Sequence, residues 1–289
     1  MSPVIPRSYL YVPGDAPDKL AKALTRGADA LIVDLEDAVA PAAKDSARAA
    51  VRAWLAGRPP AGEGPEIWVR VNPGVPGHED VRAVVCPALT GVMAAKTESA
   101  AELAELDAVL ADAESAAGMR HRAVRVVPLL ESGAAVLRAE EIARGPRVER
   151  LQVGEADLAA DLGVTVGPDE REMDHVRSHV VLVSAAVRIG PPVAPVSTNF
   201  RDLDALRDST RALARRGFVA RACIHPAQLA VVNEVFTPSR EEADAARDLV
   251  ARFEDAITAG SGVAVSATGR MVDEAVVRQA RRVLQRVRP

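Results

Sequence analysis

Aromatic side chains are scarce in this chain: Trp, Tyr and Phe together make up 3% of its 289 residues. Stacking platforms for single-stranded nucleic acid are therefore not expected, and the core has to be built from Val, Leu, Ile and Ala. Cysteine is nearly absent too. Cys86 and Cys223 stand far apart in apolar settings, which excludes a disulfide framework and a cysteine zinc site and leaves both as buried small residues. No apolar run approaches the roughly 18 residues that a membrane span needs. Residues 1–7 lack the charged and apolar regions of a secretory signal, so a cytoplasmic protein with no membrane partner is expected. Positive charge is not in excess either: 36 Lys and Arg against 40 Asp and Glu leave a net charge of −4, the wrong sign for a polyanion binder. The Arg-rich stretch 278–288 accordingly reads as a solvated helix face, and no nucleic-acid partner is expected.

What the chain does have is alternation. Short apolar runs of strand length fall at 8–12, 30–33, 67–71, 91–95, 123–130, 150–153, 193–196 and 222–224. Between them, 17–25, 44–56, 100–117, 133–144, 170–188 and 203–216 carry apolar residues at helical spacing. Eight units between residues 8 and 224 average about 27 residues, close to one eighth of a roughly 250-residue (β/α)8 barrel. The apolar runs are continuous, as in parallel strands covered on both faces. A doubly wound open sheet competes, but the first strand is followed by Val12-Pro13-Gly14-Asp15, not by the G-x-G-x-x-G phosphate loop. The expected fold is α/β: a barrel over 1–225, and a C-terminal extension over 226–289. That extension would hold helices at 226–234 and 240–259, a hairpin at 260–269 and a last helix at 273–288, too little for an independent core.

In a parallel barrel the reactive groups sit at the carboxyl ends of the strands, and here those ends are charged. The second run leads into Asp34-Leu35-Glu36-Asp37, the third into Arg70-Val71-Asn72, the fourth into Lys96-Thr97-Glu98, the fifth into Glu131-Ser132, the sixth into Gly154-Glu155-Ala156-Asp157 and the eighth into His225-Pro226. Most have a plainer use: Glu36 and Asp37 suit a helix start, Asp157 could cap a helix over 158–162, and Arg70 could pair with Glu36 or Asp37. His225 suits a structural imidazole as well as a functional one. Glu131 and Asp157 end neighbouring strands, and two carboxylates with only oxygen ligands nearby suit Mg2+ completed by water and substrate. Arg70 would hold a substrate carboxylate bidentately.

The sequence resembles the HpcH/HpaI-type aldolase and citrate lyase family, in the branch of the citrate lyase beta subunit and the malyl-CoA and citramalyl-CoA lyases. The likeness rests on 7–15, 34–41 with Lys44 and Arg48, 70–72, 95–99, 128–132, 154–163, 217–228 and 269–273. It implies a (β/α)8 TIM barrel with a C-terminal helical and hairpin extension, assembled as a homo-oligomer, a trimer or hexamer. It also implies Mg2+ on Glu131 and Asp157 and the carboxylate of a 2-keto acid on Arg70. Asp273 would lie in a segment that closes over a neighbouring subunit's site. The expected reaction is Mg2+-dependent carbon–carbon cleavage or formation between an acyl-CoA, with CoA as part of the substrate, and a 2-keto acid. Asp273, Arg70, Glu36 and Asp37 are the candidate catalytic residues, and Arg70, Pro13, Gly14 and Lys96 the substrate-binding ones. Action on an acyl-carrier-protein thioester and a non-catalytic scaffold or sensor are the alternatives. Residues 195–202 depart from several relatives and leave the acyl group open.

Overall fold

The computed structural model describes residues 5–288; residues 1–4, part of the stretch 1–7 in which no secretory signal is expected, and residue 289 lie outside the described residues. Eight parallel strands close in chain order into a barrel: β1 (Ser8–Pro13), β2 (Ala30–Asp34), β3 (Glu66–Val71), β4 (Gly91–Ala94), β5 (Arg125–Leu130), β6 (Gln152–Val153), β7 (Val193–Ala194) and β8 (Ala220–Cys223), which pairs back to β1. Every residue of β2 is buried. Ala30 and Ile32 join Tyr9, Trp68, Met93 and Val127 in one apolar cluster, while Leu31 and Val33 on the strand's opposite face are buried as well, as two covered faces require.

Two details depart from the sequence reading. Helix Gly74–Val84 lies outside the helical stretches expected from the sequence; Pro76 lies in its first turn, where a missing N–H costs nothing. Cys223 is buried but Cys86 is only half-buried, and both are free thiols. Among the described residues no helix is long and apolar enough to cross a membrane.

The chain divides into two compact units, one of residues 6–232 and the other chiefly of 233–288. The division falls inside helix Leu229–Phe236. The second unit pairs helix Arg240–Thr258 with helix Glu274–Leu284. Its hairpin sets Val265 against Met271 and Ala264 against Val272, so the second arm lies past the 260–269 segment. Phe253, Val272 and Val277 give this unit a small apolar cluster of its own.

Candidate active site at the barrel mouth

Equal register brings the first charged groups together. Arg70, near the end of β3, stands opposite Asp34, the last residue of β2. The Asp34 carboxylate accepts from Arg70 Nε at 2.7 Å and from Nη2 at 2.5 Å, a bidentate charge-assisted grip. Asp34 also accepts the backbone N–H groups of Glu36 at 2.9 Å and Ala38 at 3.3 Å, so the loop after β2 folds around the carboxylate that holds the guanidinium. Lys44 Nζ ties the same loop by donating to the carbonyls of Leu35 and Glu36 at 2.7 and 2.6 Å. Glu36 lies 3.0 Å and Asp37 3.8 Å from Arg70 Nη1, and the ring of Tyr11 lies 5.1 Å from the guanidinium carbon. Gly14 donates its N–H to the Asp34 carbonyl at 2.8 Å, and a Cβ there would stand only 2.8 Å from that oxygen. Only glycine permits so close an approach, so Pro13 and Gly14 buttress the end of β2.

Lys96 follows β4 with φ at +50°, a left-handed conformation that costs a non-glycine residue on the order of 1 kcal/mol or more. It serves two directions at once. Its backbone N–H donates to Glu131 Oε2 at 2.8 Å, while its ammonium pairs closely with Glu36 and stands 3.2 Å from Asp37 Oδ1. Burial opposes the charge, but the hydrogen bond and charge of Glu36 hold the Lys96 ammonium well above its ordinary pKa.

Glu131 is 6% exposed, and burial pushes its carboxyl up to about 7; the Lys96 N–H works against that shift and the Glu36 carboxylate adds to it. Burial raises Glu36 too. Glu131 Oε1 presses on Gly154, where a Cβ would come within 2.4 Å of it. Gly154, not Asp157, is the N-cap of helix Glu155–Leu162, and Asp157 falls inside its first turn. Glu155 is taken by Arg177 through two 2.6 Å hydrogen bonds, whereas among the described residues Asp157 has no ion-pair partner.

Among the described residues no three His, Cys, Asp or Glu side chains form a metal cage. The donor set nevertheless fits a hard cation that takes few protein ligands. Glu131 is a buried carboxylate whose ionisation is penalised, which a divalent cation relieves, and Gly154 against it is the N-cap of the helix whose first turn carries Asp157.

The remaining sequence candidates sit elsewhere. Asp273 belongs to the second unit, where its Oδ1 caps the last helix by accepting from Val276 N–H at 3.0 Å. His225 caps the turn Pro226–Gln228, its Nδ1 accepting from Ala227 N–H at 3.1 Å, and its ring stacks 4.6 Å from Phe200. Sequence reasoning missed Asp34 as the chief partner of Arg70 and gave Tyr11 and Lys44 no role at the site. The strand-end position of Asp34, in register with Arg70, was the available signal.

Residues 7–226 match the family model described as HpcH/HpaI aldolase/citrate lyase. The chain is 32% identical to the citrate lyase subunit beta of Leuconostoc mesenteroides subsp. cremoris, covering 96% of this chain and 92% of the relative. It is 34% identical to the (3S)-malyl-CoA thioesterase of Cereibacter sphaeroides, covering 96% and 93%. The solved structure of protein CitE from Mycobacterium tuberculosis, in complex with magnesium, acetoacetate and coenzyme A, superposes with a TM-score of 0.74 at 32% identity, covering 96% of this chain and 97% of that one.

Proposed function

This chain belongs to the HpcH/HpaI aldolase/citrate lyase family, and from that premise we propose that it is a Mg2+-dependent lyase. It would cleave a 3-hydroxyacyl-CoA of the malyl, citramalyl or citryl type to an acyl-CoA and a 2-oxo acid, or run the reverse. The observation that carries the reading is the chain of contacts at the mouth: Asp34 grips Arg70, Glu36 lies against both Arg70 and Lys96, and Lys96 meets Glu131.

A guanidinium has five N–H donors. Asp34 takes the Nε hydrogen and one on Nη2, and an incoming carboxylate would meet the terminal edge between Nη1 and Nη2, where Glu36 already stands 3.0 Å from Nη1. Arg70 there fixes the 2-oxo acid half of the substrate, turning a flexible ligand into one oriented for bond breaking. Lys96 neutralises Glu36, which would otherwise repel that carboxylate. Glu131 and Asp157 would hold Mg2+, with water and substrate oxygens completing its shell, and the ion would supply Lewis-acid polarisation of the substrate's hydroxyl and carboxylate oxygens. As the carbon–carbon bond breaks, the hydroxyl proton leaves to solvent water, the departing electron pair forms a thioester enolate, and Asp273 would donate the proton that its α-carbon takes. Pro13 and Gly14 would border the CoA moiety. A homotrimer or hexamer would let Asp273 act on a neighbouring chain.

Incubation with malyl-CoA, citramalyl-CoA and citryl-CoA, with Mg2+ or a chelator, tests this. Release of a 2-oxo acid with the thioester retained, lost on chelation, is expected. Free CoA thiol released with the 2-hydroxy acid intact would favour hydrolysis, as in the name of the thioesterase relative. Activity only on acyl-carrier-protein thioesters would place the chain with the citrate lyase subunits, and silence on every substrate would favour a scaffold or sensor.

A further inference from the structure

We propose that Tyr11 and Gln152 form a positioning pair that sets the plane of the Arg70 guanidinium from inside the barrel. This deepens the carboxylate-binding role given to Arg70 above and rests on it. Asp34 and Glu36 meet Arg70 at its edges, which leaves the guanidinium free to hinge about the Asp34 edge. The Tyr11 ring supplies the missing constraint. It lies 5.1 Å from the guanidinium carbon, within cation–π range, so tilting out of the plane loses that attraction.

Gln152 secures the ring. Its Nε2 donates to the Tyr11 hydroxyl oxygen at 3.4 Å, from β6 to β1, strands that are not neighbours in the barrel. The bond therefore spans the lumen. Gln152 is buried, and its Oε1 finds no hydrogen-bond partner there. An apolar residue of the same length would avoid the cost of burying that amide, and most of the lumen around it is apolar. What Gln152 gains is one donated bond to the ring that backs Arg70. Burial outweighs the Arg70 charge and the hydrogen bond from Gln152, both of which favour the ionised form, and leaves the Tyr11 hydroxyl protonated across the working range, so the pair acts as a neutral brace.

The test uses pyruvate as the probe, titrated with Mg2+ present by calorimetry into the full-length protein, with acetyl-CoA as the control ligand. Tyr11→Leu removes the ring, Tyr11→Phe keeps the ring and drops the hydroxyl, and Gln152→Met keeps the length and drops the amide. Pyruvate affinity is expected to fall about 10- to 30-fold in Tyr11→Leu and about 2- to 10-fold in Tyr11→Phe and Gln152→Met. Acetyl-CoA affinity should stay unchanged. Adding Gln152→Met to Tyr11→Leu should cost nothing further, because the brace is already gone. A second readout needs no ligand: exchange of the Arg70 Nε–H proton, followed by 15N NMR, should speed up in Tyr11→Leu and, by less, in Gln152→Met. Pyruvate binding as in the unaltered protein, an equal loss of both ligands, additive losses in the double variant, or unchanged Arg70 exchange would each overturn the brace. If the unaltered protein bound no 2-oxo acid, the proposed function would fail, while the Arg70 exchange would still decide the brace.

Discussion

Glu114 and Glu131 are both buried glutamates of the same unit, 1% and 6% exposed, and they are kept in opposite ways. Glu114 accepts from Arg147 at 2.6 and 3.0 Å and from the backbone N–H groups of Arg122 and Val124 at 2.9 and 2.8 Å. Burial opposes its charge, yet Arg147 and those N–H groups hold its carboxyl below the ordinary range. Glu131 has one backbone N–H, from Lys96, and burial takes it up to about 7. A carboxylate satisfied from every side is a strut. One left without a counter-charge is a candidate site for a cation or substrate.

Substitutions separate the strut from the site. Asp157→Ala should cost the largest effect, a loss of Mg2+-dependent cleavage of about 10³-fold or more with an unchanged melting temperature; full activity in chelator would break the metal assignment. Glu114→Gln should instead destabilise the fold by about 3 kcal/mol or more, because it leaves Arg147 partly unpaired in the interior, while kcat per folded molecule stays as before. Urea unfolding and an active-site titration measure the two. Arg70→Lys should lower kcat/KM about 10- to 100-fold, mostly through KM, since a bidentate grip at both Asp34 and the substrate cannot be made by an ammonium.

The smallest difference is in pH. Glu114 has a lowered pKa, so its stabilisation is present above the ordinary value of 4.5 and is lost as pH falls through the lower folded value. Glu131 has a raised pKa, so its contribution is intact below 4.5 and is lost as pH climbs through about 7. In metal-free protein, Glu131→Gln should therefore raise the melting temperature at pH 8 more than at pH 5, and Glu114→Gln should lower it most at neutral pH. Parallel shifts of both variants across pH would erase the contrast.

Much of the barrel was readable in the chain because a buried parallel strand leaves an unbroken run such as Ala30-Leu31-Ile32-Val33. Two-residue strands such as β6 and β7 still surfaced, as their flanks are apolar. Helix Gly74–Val84 hid behind its prolines and glycines. At the mouth, charged strand ends picked out Arg70, Lys96, Glu36 and Glu131, since only topology is needed to bring them together. Pairing was less legible. That Arg70 belongs first to Asp34 depends on register, that Arg177 removes Glu155 and leaves Asp157 depends on how the following helix packs, and Tyr11 and Gln152 meet only across a closed lumen.

The most direct measurement is calorimetry of pyruvate binding to the full-length protein, with and without Mg2+, in unaltered, Arg70→Gln and Glu131→Gln forms. A mouth that joins a guanidinium to a metal-holding carboxylate predicts Mg2+-dependent binding in the unaltered protein, weakened at least tenfold in Arg70→Gln and no longer strengthened by Mg2+ in Glu131→Gln. Equal binding in all three forms, indifferent to Mg2+, would contradict it.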